Sequence, residues 1–275
     1  MSTGEKLKIG ICQLAVRNDK SLNMDQADAM ISQAAGQGCR LVILPEMFNC
    51  PYQSELFPEY AETWPDGPTI RRLAAAAAKH RITLVGGSIP EREHEKIFNT
   101  SFVFGEQGNL VARHRKVHLF DVDIKDGTVF QESKTLTAGD QATVVTVGDL
   151  TFGVAICYDI RFQAFARTMM LQGAKLLIYP AAFGPVTGPA HWELLMRSRA
   201  IDNQVFIVGA APAKTPGAEY QAYGHSMAVD PWGNILVRAE EDEAVLSCEL
   251  DFSFLEKVRS ELPILQHWRD EFYKE

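Results

Sequence analysis

In three places an apolar run of the chain ends on a side chain able to do chemistry. Val42-Ile43-Leu44-Pro45 leads to Glu46, Leu110 to Arg115 leads to Lys116, and Phe152 to Ile156 leads to Cys157. A carboxylate, an ammonium and a thiol brought together form a nucleophilic set. A thiol attacks a carbonyl as its thiolate, whose free pKa is about 8.5, so it needs a base and a positive field. Glu46 can take the proton. Lys116 can stabilise the thiolate and then the oxyanion of a tetrahedral adduct. The N–H of Tyr158 could add a second oxyanion donor. Once a thioester has formed, protonated Glu46 can return its proton to a departing nitrogen and then activate a water. Each residue alone has a plainer explanation. A strand-end cysteine is commonly a small core residue. Glu46 could be an acid at a helix start, and Lys116 lies in the basic run RHRK, ordinarily a solvated face. Their shared position at strand ends, where rigid scaffolds present functional groups to a cleft, weakens those plainer explanations.

The elements that must hold these groups alternate between two periodicities. Strands are expected over 7–13, 41–44 and 82–86, and as a hairpin over 97–104 and 110–115 across EQGN. A second hairpin is expected over 143–147 and 151–156, followed by strands at 175–179, 205–209, 225–229, 235–238 and 244–250. Helices are expected from about 21 to 35, over 161–171, over 191–202 and over 254–260. Another should carry the run AAAAA, with Ile70, Leu73, Ala74 and Ala77 on one face and Pro68 in its first turn. Strands interleaved with helices and hairpins point to an α/β fold with a mixed sheet, and ten or more strands point to two stacked sheets.

Composition narrows the class. The 275 residues are 46% hydrophobic and 23% charged, with 35 acidic and 27 basic residues giving a net charge of −8. This is a globular composition, and its acidic, mixed surface argues against general nucleic-acid binding. The five cysteines Cys12, Cys39, Cys50, Cys157 and Cys248 are scattered and odd in number, a poor disulfide framework. Reduced thiols and cytoplasmic residence fit best. The opening MSTGEKLKIG lacks the apolar core of a secretory signal, and no run reaches the roughly 18 apolar residues that span a bilayer. Two rival chemistries stay open on residue types alone. His118, His191 or His225 could assist a cysteine, although no cysteine-protease signature surrounds Cys157. A metal site is disfavoured, because the seven histidines show neither H-x-H nor H-E-x-x-H spacing.

The segments LVILPEMFNCPY, ARHRKVHLFD, FQES and GVAICYDIRF resemble the signature segments of the nitrilase superfamily of carbon–nitrogen hydrolases. The resemblance runs from GICQL at residue 10 to the last strand near residue 250. Within the superfamily, FNCPYQ, GGSIPE, KVHLFDVDI, FQESKTL, TGPAHWELLMRSRAIDNQ and GHSMAVDPWG look most like the omega-amidase branch. That resemblance implies hydrolysis of the terminal amide of 2-oxoglutaramate or 2-oxosuccinamate to the 2-oxo diacid and ammonia. It makes Cys157 the nucleophile, Glu46 the general base, Lys116 the oxyanion lysine, and Glu132 of FQES a second glutamate that supports the lysine and helps position substrate.

A substrate of this kind carries a distal carboxylate. Arg161, read as the start of the helix after Cys157, could bind it with a bidentate guanidinium, or could instead pair with Asp159. The resemblance adds Tyr52 and Thr187 as hydroxyl donors to that carboxylate, and Phe183 could wall the pocket. It also puts His225 near the pocket mouth. Where the branch carries Asn after this phenylalanine, the chain reads Phe183-Gly184-Pro185, a departure that bears on the loop's contacts. The implied fold is a four-layer αββα sandwich of two stacked mixed sheets, one domain over 1–275. The implied assembly is a homodimer through the helix of 161–171 and the C-terminal segment. The tail, about 252–275, with Leu262, Ile264, Leu265, Trp268 and Phe272, is expected to dock on the domain or on the partner. No cofactor or metal is implied. Other amidases of the superfamily, acting on deaminated glutathione or N-carbamoyl amino acids, remain alternatives, as does a non-enzymatic binding protein on the same fold. The presence of Glu46, Lys116 and Cys157 together counts against the last.

Overall fold

The computed structural model describes residues 6–125 and 129–272. In chain order its strands are β1 (Lys6–Gln13), β2 (Leu41–Ile43), β3 (Thr83–Val85), β4 (Ile89–Glu93), β5 (Lys96–Phe104), β6 (Leu110–Arg115), β7 (Asp121–Asp123), β8 (Val129–Gln131), β9 (Thr143–Val147), β10 (Leu150–Val154), β11 (Leu176–Pro180), β12 (Phe206–Ala210), β13 (Met227–Val229), β14 (Ile235–Arg238) and β15 (Ala244–Asp251). The helices are α1 (Lys20–Gly36), α2 (Phe57–Tyr60), α3 (Pro68–His80), α4 (Gln163–Leu171), α5 (Thr187–Asn203) and α6 (Phe252–Glu261).

Two sheets stack face to face. The first runs β15-β1-β2-β3-β5-β4, with β6 on the other edge of β5, and the second runs β14-β13-β12-β11-β10-β9. Their inner strands are parallel: β1, β2 and β3 in one sheet, β10, β11 and β12 in the other. Such strands are covered on both faces and so read as unbroken apolar runs. Period-two alternation sorts their side chains into layers. Leu176 and Ile178 of β11 join Ile9, Ile11, Leu41, Ile43 and Val208 between the sheets. Leu177 and Tyr179, on the opposite face, pack under α4 and α5 with Met169, Trp192 and Met196. On the outside of the first sheet, α1 and α3 cover Val42, Leu84 and Phe102 with Met30, Ile31, Ile70 and Leu73. The result is a four-layer αββα sandwich. Each fully buried aliphatic side chain contributes about 1.5–3 kcal/mol. Gly10 sets the approach of α1, because a Cβ there would lie 2.8 Å from Ala34 Cβ.

Most expected elements are present with ends moved by a few residues. Asp19 caps α1 by accepting from Leu22 N at 3.0 Å. Three strands had no sequence signal. β4 carries Pro90 and three charged residues, and β7 and β8 are three residues each. The expected helix over 161–171 is corrected: a 3-10 turn spans Cys157–Arg161, and α4 begins only at Gln163. Arg161 therefore ends the turn that begins at Cys157 instead of opening the helix. Along the tail, Gln204 Nε2 donates to Leu262 O at 2.7 Å, Leu265 packs on the α4–α5 layer, and the Arg167 guanidinium lies 4.1 Å from the Trp268 ring. No helix among the described residues is long and apolar enough to cross a membrane.

Candidate active site

Glu46, Lys116 and Cys157 all lie just past strand ends, as the apolar runs suggest, and each is fixed by its backbone. The Glu46 turn is clamped to the β3–β4 connection: Ser88 N donates to Pro45 O at 3.1 Å, and Ser88 Oγ accepts from Met47 N at 3.1 Å. Gly87 permits this closeness. Its φ is +57°, and a Cβ there would stand 2.1 Å from Pro45 O. Lys116 follows β6 directly, with its N–H on Asn99 O at 2.9 Å. Cys157 has φ 46°, a left-handed conformation that is uncommon and strained outside glycine.

Asp159, two residues on, holds that turn. Its buried carboxylate accepts from Ile156 N at 2.9 Å, His118 N at 2.9 Å and His118 Nδ1 at 2.7 Å. His114 Nε2 adds a longer contact at 3.3 Å, while His114 Nδ1 faces Thr143 Oγ1 at 2.9 Å. Burial alone would raise the Asp159 pKa, but the hydrogen bonds from His114 and His118 outweigh it and hold the carboxyl well below its usual range. Asp159 is thus engaged, and the alternative pairing of Arg161 with it is absent.

The charged set is compact and fully buried. Lys116 Nζ lies 2.9 Å from Oε1 of Glu46 and 2.9 Å from Oε1 of Glu132. Tyr52 Oη donates to Glu132 Oε1 at 2.7 Å, and Phe120 N donates to Glu132 Oε2 at 2.6 Å. Asn99 Nδ2 donates to Glu46 Oε1 at 2.8 Å. The Lys116, Asn99 and Tyr52 donors to Glu46 all converge on Oε1. Oε2 is buried and takes none of them, and the Cys157 thiol interacts with this same carboxylate.

Burial raises the Glu46 pKa; the Lys116 charge opposes this and the Glu132 charge adds to it. Burial, then the Glu46 charge, pushes the Cys157 thiol well up, against the pull of Lys116. Burial and the Glu46 charge thus favour the protonated sulfur, while the Lys116 charge favours the thiolate. Burial disfavours the Lys116 charge, but the two carboxylates overcome it and raise its pKa well above the ordinary lysine value.

Cys157, Tyr158, Arg161, Phe183 and Thr187 line one small cavity. The half-buried Arg161 guanidinium lies 5.0 Å from the Phe183 ring and 3.2 Å, by Nη1, from His191 Nδ1. No carboxylate among the described residues pairs with it, and burial lowers its pKa. Thr187 is the first residue of α5. Tyr52 has its hydroxyl on Glu132 at 2.7 Å, with Glu46 Oε1 at 3.3 Å and Lys116 Nζ at 3.4 Å. His118 stacks on Phe162 at 3.6 Å and His225 on Tyr223 at 3.9 Å, so both rings are engaged with aromatic partners. Residue patterns did not reveal Asn99, the Asp159–His114–His118 cluster, Phe120 or Tyr220. Asn99 left one signal, a polar residue inside the apolar run IFNTSFVF.

Two stacked sheets under flanking helices, with a buried thiol, carboxylates and an ammonium at their strand ends, define a hydrolase class. The family described as carbon-nitrogen hydrolase matches residues 8–260, and the chain belongs to it. Within that family it falls in the nitrilase superfamily, on the omega-amidase branch. It is 47% identical to nitrilase homolog 2 of Dictyostelium discoideum, over 100% of this chain and 84% of that protein. It is 46% identical to omega-amidase NIT2-A of Xenopus laevis, over 98% of this chain and 97% of that one. The crystal structure of Saccharomyces cerevisiae Nit3, a member of branch 10 of the nitrilase superfamily, superposes with a TM-score of 0.89 at 40% identity, covering 96% of this chain and 97% of that one. The chain is an enzyme, a carbon–nitrogen hydrolase acting on an amide.

Proposed function

We propose that the enzyme hydrolyses the terminal amide of a short 2-oxo diacid monoamide, 2-oxoglutaramate or 2-oxosuccinamate, to the 2-oxo diacid and ammonia. One observation carries the reading beyond its class: Arg161, half-buried and without a carboxylate partner, shares a cavity with Cys157 and Thr187. A guanidinium so placed recognises the distal carboxylate of the substrate while the amide carbon sits over the sulfur.

Glu46 Oε2 takes the thiol proton as the Cys157 sulfur bonds to the amide carbon. The Lys116 ammonium, with the Tyr158 N–H, stabilises the oxyanion. The carbon–nitrogen bond then breaks, the nitrogen takes the proton from Glu46, and ammonia leaves a thioester. Water gives a proton to Glu46 and adds to the thioester. The carbon–sulfur bond breaks, and the thiol regains its proton. Glu132 keeps Lys116 charged and oriented throughout. The family match over residues 8–260 supports one catalytic domain. Exposed Leu171, Leu194 and Ile201 on α4 and α5 support homodimer formation, and five free cysteines support a reducing cytoplasmic setting.

The test is ammonia release from 2-oxoglutaramate measured beside deaminated glutathione. Faster turnover of the first is expected. Absence of release from it, with release from the second, overturns the substrate assignment.

A further inference from the structure

The cavity at Cys157 is about 10 Å³. That is room for one water, whereas small-molecule sites run to about 300 Å³ or more. Two larger spaces adjoin it. One, of about 270 Å³, reaches Glu46 and Ala182, and one, of about 710 Å³, lies outside Tyr52 and Phe130. Tyr220 lines all three. A substrate must therefore displace something to reach the sulfur, and Tyr220 is the side chain common to every partition.

Its phenol donates to Ala182 O, and its ring lies tilted against Tyr52 with centroids 4.8 Å apart and edge-on to Phe130 at 6.3 Å. The residue is half-buried, on the connection between β12 and β13, which has no helix or strand of its own. Gly217, at φ +79° with open space around it, and Gly224, at φ +72°, flank it. Gly184 completes the seat, because a Cβ there would lie 3.3 Å from the Tyr220 hydroxyl. The phenol occupies ground that a side chain at 184 would contest.

We infer that Tyr220, latched on Ala182 and seated against Gly184, closes the cavity over Cys157 and sets the size of amide that reaches the thiol. This rests on Cys157 being the nucleophile, and the test keeps the two ideas separable. Cys157 is alkylated with iodoacetamide and with N-(1-pyrenyl)maleimide in the full-length wild type, Tyr220→Phe and Tyr220→Ala, with Cys157→Ala as the blank. Tyr220→Ala is expected to accelerate the bulky reagent by about tenfold or more and the small one by less than about threefold, with Tyr220→Phe between. The kcat/KM ratio of deaminated glutathione to 2-oxoglutaramate is expected to rise in the same order. Equal acceleration of both reagents, or no change in a folded Tyr220→Ala protein, overturns the inference. Selective labelling without hydrolysis of either amide leaves Tyr220 as the closure and removes the proposed activity instead.

Discussion

Asp159 accepts two hydrogen bonds from His118, one from its backbone N–H at 2.9 Å and one from its ring Nδ1 at 2.7 Å. Asp159 lies in the Cys157–Arg161 turn, beyond β10 of one sheet. His118 lies two residues past the lysine, beyond β6 of the other. This contact joins the Cys157 turn to the Lys116 segment across the sandwich. Asp159→Asn should keep the volume and lose the charge, lowering stability by roughly 3 kcal/mol or more, as broken buried charge networks do. The depressed pKa of Asp159 fixes the pH dependence of that loss. Its stabilisation is present above the unfolded value of about 3.9 and vanishes as pH falls through the folded value. Urea midpoints of wild type and Asp159→Asn should differ at neutral pH and converge on acidification. A constant gap at every pH contradicts this.

In the proposed cycle Glu46 must be unprotonated to accept the thiol proton, and burial raises its pKa. The acid limb of kcat/KM should therefore lie above the ordinary glutamate value of about 4.3, activity falling as pH drops through it. The raised pKa of Lys116 keeps it charged, so it contributes no alkaline limb below about 10.4. Glu46→Gln should lower kcat by about 10²–10⁴-fold and abolish the acid limb. Retention of that limb in the variant assigns the base elsewhere.

Tyr52 is a hydroxyl donor to Glu132 at 2.7 Å, on the charged cluster side of the site. Removing it leaves a buried carboxylate short of a partner, a loss of about 1–3 kcal/mol. Tyr52→Phe should therefore lower kcat by roughly tenfold, the equivalent of about 1.4 kcal/mol, with KM little changed. A selective rise in KM for carboxylate-bearing amides places the hydroxyl on the substrate instead.

Arg161 should act through KM. A charge-assisted hydrogen bond contributes about 1.5–3 kcal/mol, so Arg161→Met should raise KM for 2-oxoglutaramate by roughly 10- to 100-fold. Turnover of a neutral amide such as propionamide should change little. An equal loss on both amides shows that the arginine holds the turn and does not read the substrate.

Local pattern made the three main residues legible, because an apolar strand ending on one polar side chain is a short-range signal. Glu132 carries no such mark, and only its family resemblance singled it out. Arg161 was legible as a residue and misplaced as an element, because the spacing of Phe162, Phe165 and Met169 continues a helical period through the break at Phe162. The missing members are long-range partners. Asn99 meets Glu46 across 53 positions and His118 meets Asp159 across 41. Tyr220 lies in a connection whose composition signals only loop. Strands as short as β7 and β8 form because a neighbour pairs with them, which no local periodicity reports.

Glu46 and Lys116 ride on one sheet and Cys157 on the other, with Asp159 as the pin between. In the proposed reaction, catalysis is therefore a gauge of interlayer alignment. A slip of one sheet past its neighbour by a fraction of a residue would silence the enzyme while leaving every helix and strand formed. Mild denaturant should abolish turnover before circular dichroism registers any change.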